Sequence, residues 1–328
     1  MVEPRGADLG HSSIAAQFTN DRAFAREYIR QEVLRIYGPV LDLFLEMLDE
    51  CASFQTRAII SSKRELEDTV LAGVLYRRVQ ALFDSIVVQL SAGQIHGANL
   101  VLRAFLETAW AIEWMLKEDV ALRARQYYVL RLRHQIAENA VFIRGTEEHK
   151  QFAKDLSDQR LTELGLPSNS EEIARNEMER VAAHIAKYPD LAHVDAEISR
   201  RKKRVSDLKW FELFGGPNNY GALARHLDRG DEYVVTYRNL SHAIHGSRTQ
   251  DHVLVREPGK AEIQPIRELE GFAGVVQLAW ALILRVHKLM VMHFRPDEFP
   301  SFQRRFFPEG KSRLNLPDVE FERDVAYY

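Results

Sequence analysis

Apolar residues recur every three or four positions along most of the chain, which is the period of amphipathic α-helices. This pattern predicts a first long helix over about residues 24–54, kinked or split at Pro39. Further helices are predicted over about residues 62–90, 94–117 and 120–143. The small residues Ser-Ala-Gly at 91–93 indicate a tight turn, so the second and third helices should form an antiparallel hairpin.

Residues 146–230 have a different character, with shorter and more polar segments broken by Gly-, Pro- and Asn-rich stretches. We interpret this region as a helical insertion subdomain within one helical domain that spans residues 1–328. After it, apolar and polar residues alternate over 251–265 around a Pro-Gly pair, which predicts a two-stranded hairpin. The predicted fold class is therefore mainly α, a multi-helix bundle with a polar helical insertion and a small β-hairpin.

The most apolar segment covers residues 272–294, but its uninterrupted apolar stretch ends at Arg285. A membrane-spanning helix needs roughly 20 apolar residues, so the segment is predicted to be a buried core helix. Residues 295–328 are rich in aromatic residues and prolines, and we expect an extended C-terminal tail that wraps the surface or reaches a partner subunit.

Composition limits the functional classes. The chain has 328 residues, 46% of them hydrophobic, which is typical of a folded globular protein. A net charge of −3 gives no overall basic field, so nucleic-acid binding would depend on a local patch. The single cysteine, Cys51, excludes an intramolecular disulfide, and no secretion signal is recognisable, so we expect a cytoplasmic protein without membrane contact. No metal site or cofactor is predicted, because the histidines lack the spacing of a ligand set.

One short segment carries the main candidate chemistry, the sequence YRNLSHAIHG at residues 237–246. Acidic residues before it and Gly246 at its end predict a helix over about residues 231–245. At about 100° per residue, Arg238, His242 and His245 lie within about 60° of one another on one helix face.

The other polar residues of the segment are expected to play supporting roles. Ser241 lies at the edge of the face that carries Arg238, and Asn239 points away from it by the same count. Tyr237 and Ser241 could orient a histidine or contact a phosphate.

A helix face that combines arginine with histidine suits phosphodiester cleavage. A neutral histidine could remove the proton of a ribose 2′-hydroxyl, while Arg238 stabilises the charge that develops on the phosphate oxygens. Either His245 or His242 could be this base. The alternative interpretation is a polar network that holds helices together, with a histidine interacting with the helix dipole.

The sequence RNLSHAIH resembles the signature of the HEPN superfamily (higher eukaryotes and prokaryotes nucleotide-binding), with six residues between Arg238 and His245 and the polar Asn239 directly after the arginine. The resemblance implies a dimeric, metal-independent ribonuclease that leaves a 2′,3′-cyclic phosphate, as in toxin–antitoxin and antiphage systems. Arg144 and His149 match the same spacing rule with four intervening residues, but Gly145 interrupts that segment. We therefore favour the match at Arg238 and His245.

The chain also resembles a bacterial helical family of undescribed function, in which an RxxxE element precedes a YRxLSxxxHG element. Here these elements are Arg103 to Glu107 and residues 237–246, and the resemblance covers about residues 65–294. Arg103 and Glu107 are four residues apart on an apolar helix, so the simplest interpretation is an intrahelical ion pair. Alternatively, Glu107 contacts Arg238 or a motif histidine. In both cases the two helices should touch.

Two Arg-rich stretches are candidate RNA contacts. The run at 200–204 consists of Arg200, Arg201, Lys202, Lys203 and Arg204. Such a run is usually solvated, but it would add salt-sensitive affinity if RNA binds. Residues 123–134 interleave arginine with tyrosine and could stack on bases, or could be a solvated helix face.

The sequence thus leads to two hypotheses. The first is a HEPN-like endoribonuclease of a bacterial toxin or antiphage system, with Arg238, His245 and His242 as catalytic residues. Its supporting residues are Tyr237, Ser241, Asn239, Arg103 and Glu107, and its expected partners are RNA, a second copy of the chain and a regulatory or antitoxin protein. The second is a non-catalytic interaction or sensor module with a buried Arg-Glu-His network. Exposure of Arg238 and His245 distinguishes the two.

Overall fold

The structure, a computed structural model, describes residues 26–155, 169–201, 203–244, 253–257, 260–263 and 271–314, together with residues 267, 269 and 316. Its longer helices are α1 Arg26–Ser61, α2 Tyr76–Ser91, α3 Ile95–Lys117, α4 Val120–Ala140, α5 Glu147–Asp155, α6 Ser170–Lys187, α7 Pro189–Arg200, α8 Tyr220–His226, α9 Arg238–Ile244, α10 Phe272–Phe294 and α11 Phe299–Arg313. Two π-helical turns, Thr69–Leu75 and Tyr233–Tyr237, directly precede α2 and α9. The protein is therefore mainly helical, as the periodicity predicts.

Short elements connect these helices. Helical turns are formed by Leu66–Asp68 and Gly230–Glu232, and 3₁₀ turns by Val205–Asp207, Trp210–Gly215 and Pro296–Glu298. Strands β1 Val253–Glu257 and β2 Lys260–Ile263 pair antiparallel, with Val253 opposite Ile263. This pair lies where the alternation of apolar and polar residues predicts a hairpin.

The described chain divides into two compact units. The first takes its residues from Met1–Ser61, Leu75–Trp110 and Gly230–Tyr328, and the second from Ser62–Val74 and Ala111–Arg229. The second unit thus contains residues 146–229 of the predicted insertion, together with Ser62–Val74 and residues 111–145. Within the second unit, α4 contacts α6 and α7. Periodicity predicts that α4 is a helix but not which helices it contacts.

The first unit is a bundle in which α1 packs against α2, α10 and α11. Its centre is aromatic: the ring of Phe44 lies 4.9 Å from that of Phe83 and 5.7 Å from that of Trp280. Helix α1 continues through Pro39 as one helix to Ser61, well past the predicted end at about residue 54. The predicted helix over 62–90 is instead divided by the π turn Thr69–Leu75.

Helix α10 is long and apolar enough to cross a membrane by length and composition. Within the unit, however, its Val276, Ala279, Ile283 and Val286 are completely or almost completely buried. Such a helix is a core element of the bundle, as predicted from its apolar stretch.

The predicted extended tail at 295–328 is wrong for residues 299–313, which form α11. Pro300 lies in the first turn of this helix, where a backbone N–H has no intrahelical acceptor in any case. Phe302 and Phe306, four residues apart, are buried against the bundle, with the Phe306 ring 6.3 Å from that of Trp280. Burial of this aromatic face outweighs the unfavourable Pro308 inside the helix.

The second unit has its own apolar core, to which α4, α6 and α7 contribute Val129, Val181 and Val194. Leu66, from the short turn before the π helix, packs partly buried against this core. The unit therefore has a hydrophobic centre separate from that of the bundle.

Candidate functional site

The motif helix differs from the uniform helix expected over residues 231–245. It consists of the turn Gly230–Glu232, the π turn Tyr233–Tyr237 and α9, and the backbone N–H of Arg238 donates to the carbonyl of Tyr233. This bond spans five residues instead of four, which defines the π turn. Tyr233 and Tyr237 stack with ring centroids 5.2 Å apart, and both rings lie beside Trp110.

Tyr237 joins this segment to α3. Its hydroxyl donates to Glu107 Oε1 at 3.0 Å and accepts from Arg103 Nη2 at 3.1 Å. Arg103 Nε lies 3.3 Å from Glu107 Oε1, so the predicted intrahelical ion pair is formed. Burial, together with Glu107, raises the pKa of Tyr237 to about 12, although the Arg103 hydrogen bond opposes the rise. The expected contact between the two helices is therefore present, and Tyr237 makes it.

A second anchor holds the start of the segment. Arg285 of α10 makes two hydrogen bonds to the carboxylate of Glu232, at 3.0 and 3.1 Å, and the Trp110 indole N–H donates to the same carboxylate at 2.6 Å. Sequence analysis did not identify any of these three residues as site residues. The available signal was Arg285 itself, the first charged residue of an otherwise apolar helix.

The predicted catalytic residues are only partly described. Arg238 is exposed, and its side chain forms no hydrogen bond or ion pair with any other residue that the structure describes. His242 belongs to the backbone of α9, but its side chain lies outside the described part of the chain, as do His245 and Gly246. The roles of the two histidines therefore remain predictions.

The two smaller polar residues of the motif bond to their own helix. The Asn239 amide donates to the carbonyl of Val235 at 2.6 Å, and the Ser241 hydroxyl donates to that of Tyr237 at 2.8 Å. The Asn239 side-chain oxygen and the lone pairs of the Ser241 hydroxyl can still accept hydrogen bonds.

An open groove of about 230 Å³ lies beside the motif, between α3, the π turn with α9, and α10. Its polar residues are Asn99, Thr236 and Asn239, and its apolar lining includes Leu102 and Leu240. On the same segment Val234 and Val235 are 55% and 65% exposed. The motif is thus next to an accessible concave surface.

The basic run lies in the second unit and is largely neutralised there. Arg200 and Arg201 pair with Glu197, Lys203 with Glu212, and Arg204 with Asp207, at 2.6–3.1 Å. Lys202 lies outside the described residues. Arg200 and Arg204 stay largely exposed in these pairs, so the RNA-binding role of the run remains a prediction.

The Arg- and Tyr-rich helix α4 is similarly committed to contacts within the second unit. Its Arg123, Arg125, Arg131 and Arg133 pair with Glu118, Asp190, Glu138 and Asp195 respectively. Tyr127 packs against Trp210, and Tyr128 against His184. A base-stacking role for this face would require several of these contacts to break.

A buried polar cluster in the first unit was also missed by sequence analysis. The Tyr76 hydroxyl lies 2.5 Å from His287 Nδ1, and Cys51 Sγ lies 3.5 Å from the same atom. All three side chains are fully buried, and His287 Nε2 has no hydrogen-bond partner among the described residues. Burial lowers the pKa of His287 to about 3. Across the described ranges no three His, Cys, Asp or Glu side chains are grouped so that they could hold a metal ion.

Fold and site together define a mainly helical protein with an anchored, arginine-bearing segment beside an open groove. The chain belongs to DUF5677, a family of unknown function, whose sequence pattern matches residues 69–261. The matched part contains both the Arg103 to Glu107 element and the motif at 237–246. No curated protein matches the chain, and no solved structure matches it.

Proposed function

We propose that this protein is a HEPN-like, metal-independent endoribonuclease that acts at the segment around Arg238. The observation that carries the proposal is the contrast between two neighbouring residues. Tyr237 is 8% exposed and is held by Arg103 and Glu107, whereas Arg238 is exposed and unpaired with respect to the described residues. A guanidinium on a firmly anchored helix that is free to meet an anion is suited to binding phosphate.

The proposed reaction needs a base, an acid and a stabilising cation. His245, with His242 as the alternative, takes the proton of a ribose 2′-hydroxyl, and the 2′-oxygen then attacks the adjacent phosphorus. The bond to the 5′-oxygen breaks, and that oxygen receives a proton. The products are a 2′,3′-cyclic phosphate and a 5′-hydroxyl. Arg238 stabilises the charge on the non-bridging oxygens in the transition state.

The anchors would keep this arrangement in place. Glu232 fixes the start of the segment to Arg285 and Trp110, and Tyr237 fixes it to α3. Preorganised groups stabilise a transition state better than mobile ones, because no reorganisation is needed during the reaction. Tyr237, Arg103 and Glu107 would therefore act through Arg238, with Ser241 and Asn239 nearby.

The biological setting follows from the resemblance to HEPN ribonucleases. We expect a homodimer, cytoplasmic RNA as substrate, and a role in a toxin–antitoxin or antiphage system in which a regulatory or antitoxin protein controls activity. The paired basic run at 200–204 is not needed for this proposal, so the RNA contact is assigned to the motif.

Cleavage of a mixed single-stranded RNA pool in EDTA tests the proposal, with purified full-length wild type, His245→Ala and Arg238→Ala. Wild type should leave cyclic-phosphate ends, and each substitution should slow cleavage by at least about 100-fold. Arg144→Ala is the matched control, since Arg144 belongs to the other sequence match, is exposed and pairs only at the surface with Glu171. Equal rates for all four proteins would indicate a contaminating nuclease and contradict the proposal.

The alternative is a non-catalytic interaction or sensor module. It is favoured by the buried network of Arg103, Glu107 and Tyr237 and by the exposed Val234 and Val235, which could bind an apolar partner. Absence of cleavage under all conditions would support this alternative.

A further inference from the structure

We infer that the groove beside Arg238 is a subsite for one nucleobase of the RNA. The inference rests on the proposed function and deepens it, because it assigns the substrate contact that selects where the strand is cut. Three elements of the first unit form the groove: α3 supplies Asn99 and Leu102, the motif segment supplies Thr236, Asn239 and Leu240, and α10 supplies Val275.

Size and lining suit a base. Pockets for drug-sized ligands are roughly 300–1,000 Å³, whereas this groove is about 230 Å³, and it therefore fits a single flat group. Leu102, Leu240 and Val275 are buried residues at the floor of the groove, and the more accessible Val235 and Leu278 add apolar surface. Such a lining favours the face of a base, which is apolar, over a phosphate or a sugar.

The polar groups suit the edge of a base. The side chains of Asn99 and Thr236 form no hydrogen bond with other residues described in the structure, and the Asn239 carbonyl oxygen faces no described donor. A side-chain amide offers a donor and an acceptor side by side, which matches the N6 and N7 atoms of adenine. We therefore expect Asn99 to favour adenine.

Chain connectivity places the groove next to the proposed reaction. Asn239 and Leu240 follow Arg238 directly in α9. Because Asn239 projects about 100° around the helix from Arg238, a base in the groove and a phosphate on Arg238 would belong to neighbouring nucleotides of a strand that passes around α9.

Gly274 of α10 provides a way to test the groove without damaging the fold. It lines the groove and is exposed, and a Cβ added there would meet no other heavy atom within 4 Å. A leucine at this position would extend into open space in the groove, and leucine is a better helix former than glycine. Gly38 of α1 serves as a control, because it is also helical, does not line the groove, and a Cβ there would meet no heavy atom within 4 Å apart from its chain neighbours. Since Pro39 follows it and disfavours a larger residue in a helix, urea denaturation of Gly38→Leu first checks that this control is folded.

Mapping the ends of the cleaved RNA pool is the first arm of the test. Wild type should prefer adenine at one position flanking the cut by about tenfold, the scale of discrimination that one bidentate amide contact provides. Asn99→Ala and Gly274→Leu should reduce this preference to less than about twofold, whereas Gly38→Leu should keep the wild-type rate and preference. Equal preference in Gly274→Leu and wild type would overturn the inference.

Binding of adenosine 5′-monophosphate is the second arm and does not depend on cleavage. Saturation-transfer NMR on the full-length protein should detect the adenine protons with wild type and Gly38→Leu and lose them with Gly274→Leu. If this pattern appears without any cleavage, the subsite stands and the proposed function fails. If RNA is cleaved but the nucleotide signal is equal in all three proteins, the nuclease stands and the subsite is wrong.

Discussion

The hydroxyl of Tyr237 is one of the points where α3 meets the motif segment, and it bonds to both members of a charged pair. Replacing it with hydrogen leaves Arg103 and Glu107 paired with each other, at 3.3 Å, but removes two partly buried hydrogen bonds. A hydrogen bond to a charged group contributes about 1.5–3 kcal/mol, and the surviving ion pair reduces the loss.

Tyr237→Phe should therefore lower the free energy of unfolding by about 1–2 kcal/mol, measured by urea denaturation. Tyr233→Phe is the matched control, because the Tyr233 hydroxyl bonds to no other residue within the described part of the chain. It should change stability by less than about 0.5 kcal/mol. Equal effects of the two substitutions would mean that the Tyr237 hydrogen bonds add no stability.

His287 should make stability depend on pH. Burial, with a smaller contribution from Arg57, lowers its pKa from 6.5 to about 3, and Glu298 opposes the shift. The folded ring therefore stays neutral while the unfolded ring takes up a proton below pH 6.5, so stability is lost as the pH falls from about 6.5 towards 3.

Between pH 7 and pH 5 this one group should lower the unfolding free energy by about 2 kcal/mol. His287→Gln keeps a side chain that can accept a hydrogen bond from Tyr76 but cannot be protonated. Between pH 7 and pH 5 the unfolding free energy of this variant, measured with urea, should therefore decrease by about 2 kcal/mol less than that of wild type. An identical decrease in the two proteins would show that His287 does not account for the pH dependence.

At the scale of elements, α11 shows how tertiary contacts outweigh local propensity. Two prolines in its sequence led to the prediction of an extended tail, yet the helix forms because one of its faces is buried. Adjacent phenylalanines show this directly: Phe306 is 1% exposed and Phe307 is 39% exposed.

Phe306→Ala should lower the free energy of unfolding by about 3–5 kcal/mol, because it leaves a cavity beside Trp280. Phe307→Ala should cost less than about 1 kcal/mol by comparison. Thermal or urea denaturation of both variants measures the difference. Similar small effects would indicate that α11 contributes little to the core.

The sequence predicts where individual helices lie better than it predicts which helices pack against one another. An uninterrupted apolar stretch located α10, and the three-and-four spacing of apolar residues located α1, α3 and α4. This spacing could not assign α4 to the second unit, because an apolar stripe does not identify the helix that covers it. The pairing of Glu232 with Arg285 spans 53 residues and has no local signature. The π turn at Tyr233–Tyr237 was missed for a similar reason. Its two tyrosine rings pack on Trp110, which is distant in the sequence, so no local pattern indicates the turn.

At the scale of the whole molecule, charge is distributed in pairs. The net charge is −3, and the two Arg-rich stretches of the second unit are paired with acidic residues. A protein that holds RNA through few unpaired cations releases few counterions, so its affinity should vary weakly with salt.

The slope of log K against log salt for a short single-stranded RNA should therefore be about −2 or shallower, measured by fluorescence anisotropy. Arg238→Ala should reduce the slope by about 0.7, the value of one phosphate contact on a single strand. Arg204→Ala, at an exposed and paired arginine, should leave it unchanged. A slope steeper than about −4 would indicate a broad basic surface instead.

The π turn before α9 also has a consequence for the length of the chain. A turn closed by a five-residue hydrogen bond contains one residue more than an α turn, as the bond from Arg238 to Tyr233 shows. Removing one residue from Tyr233–Tyr237 would restore α geometry while Glu232 stays fixed to Arg285. Everything after the deletion would then rotate by about 100° about the helix axis. The direction in which Arg238 points therefore depends on one extra residue in this turn, and a deletion there would present a different face of the same motif.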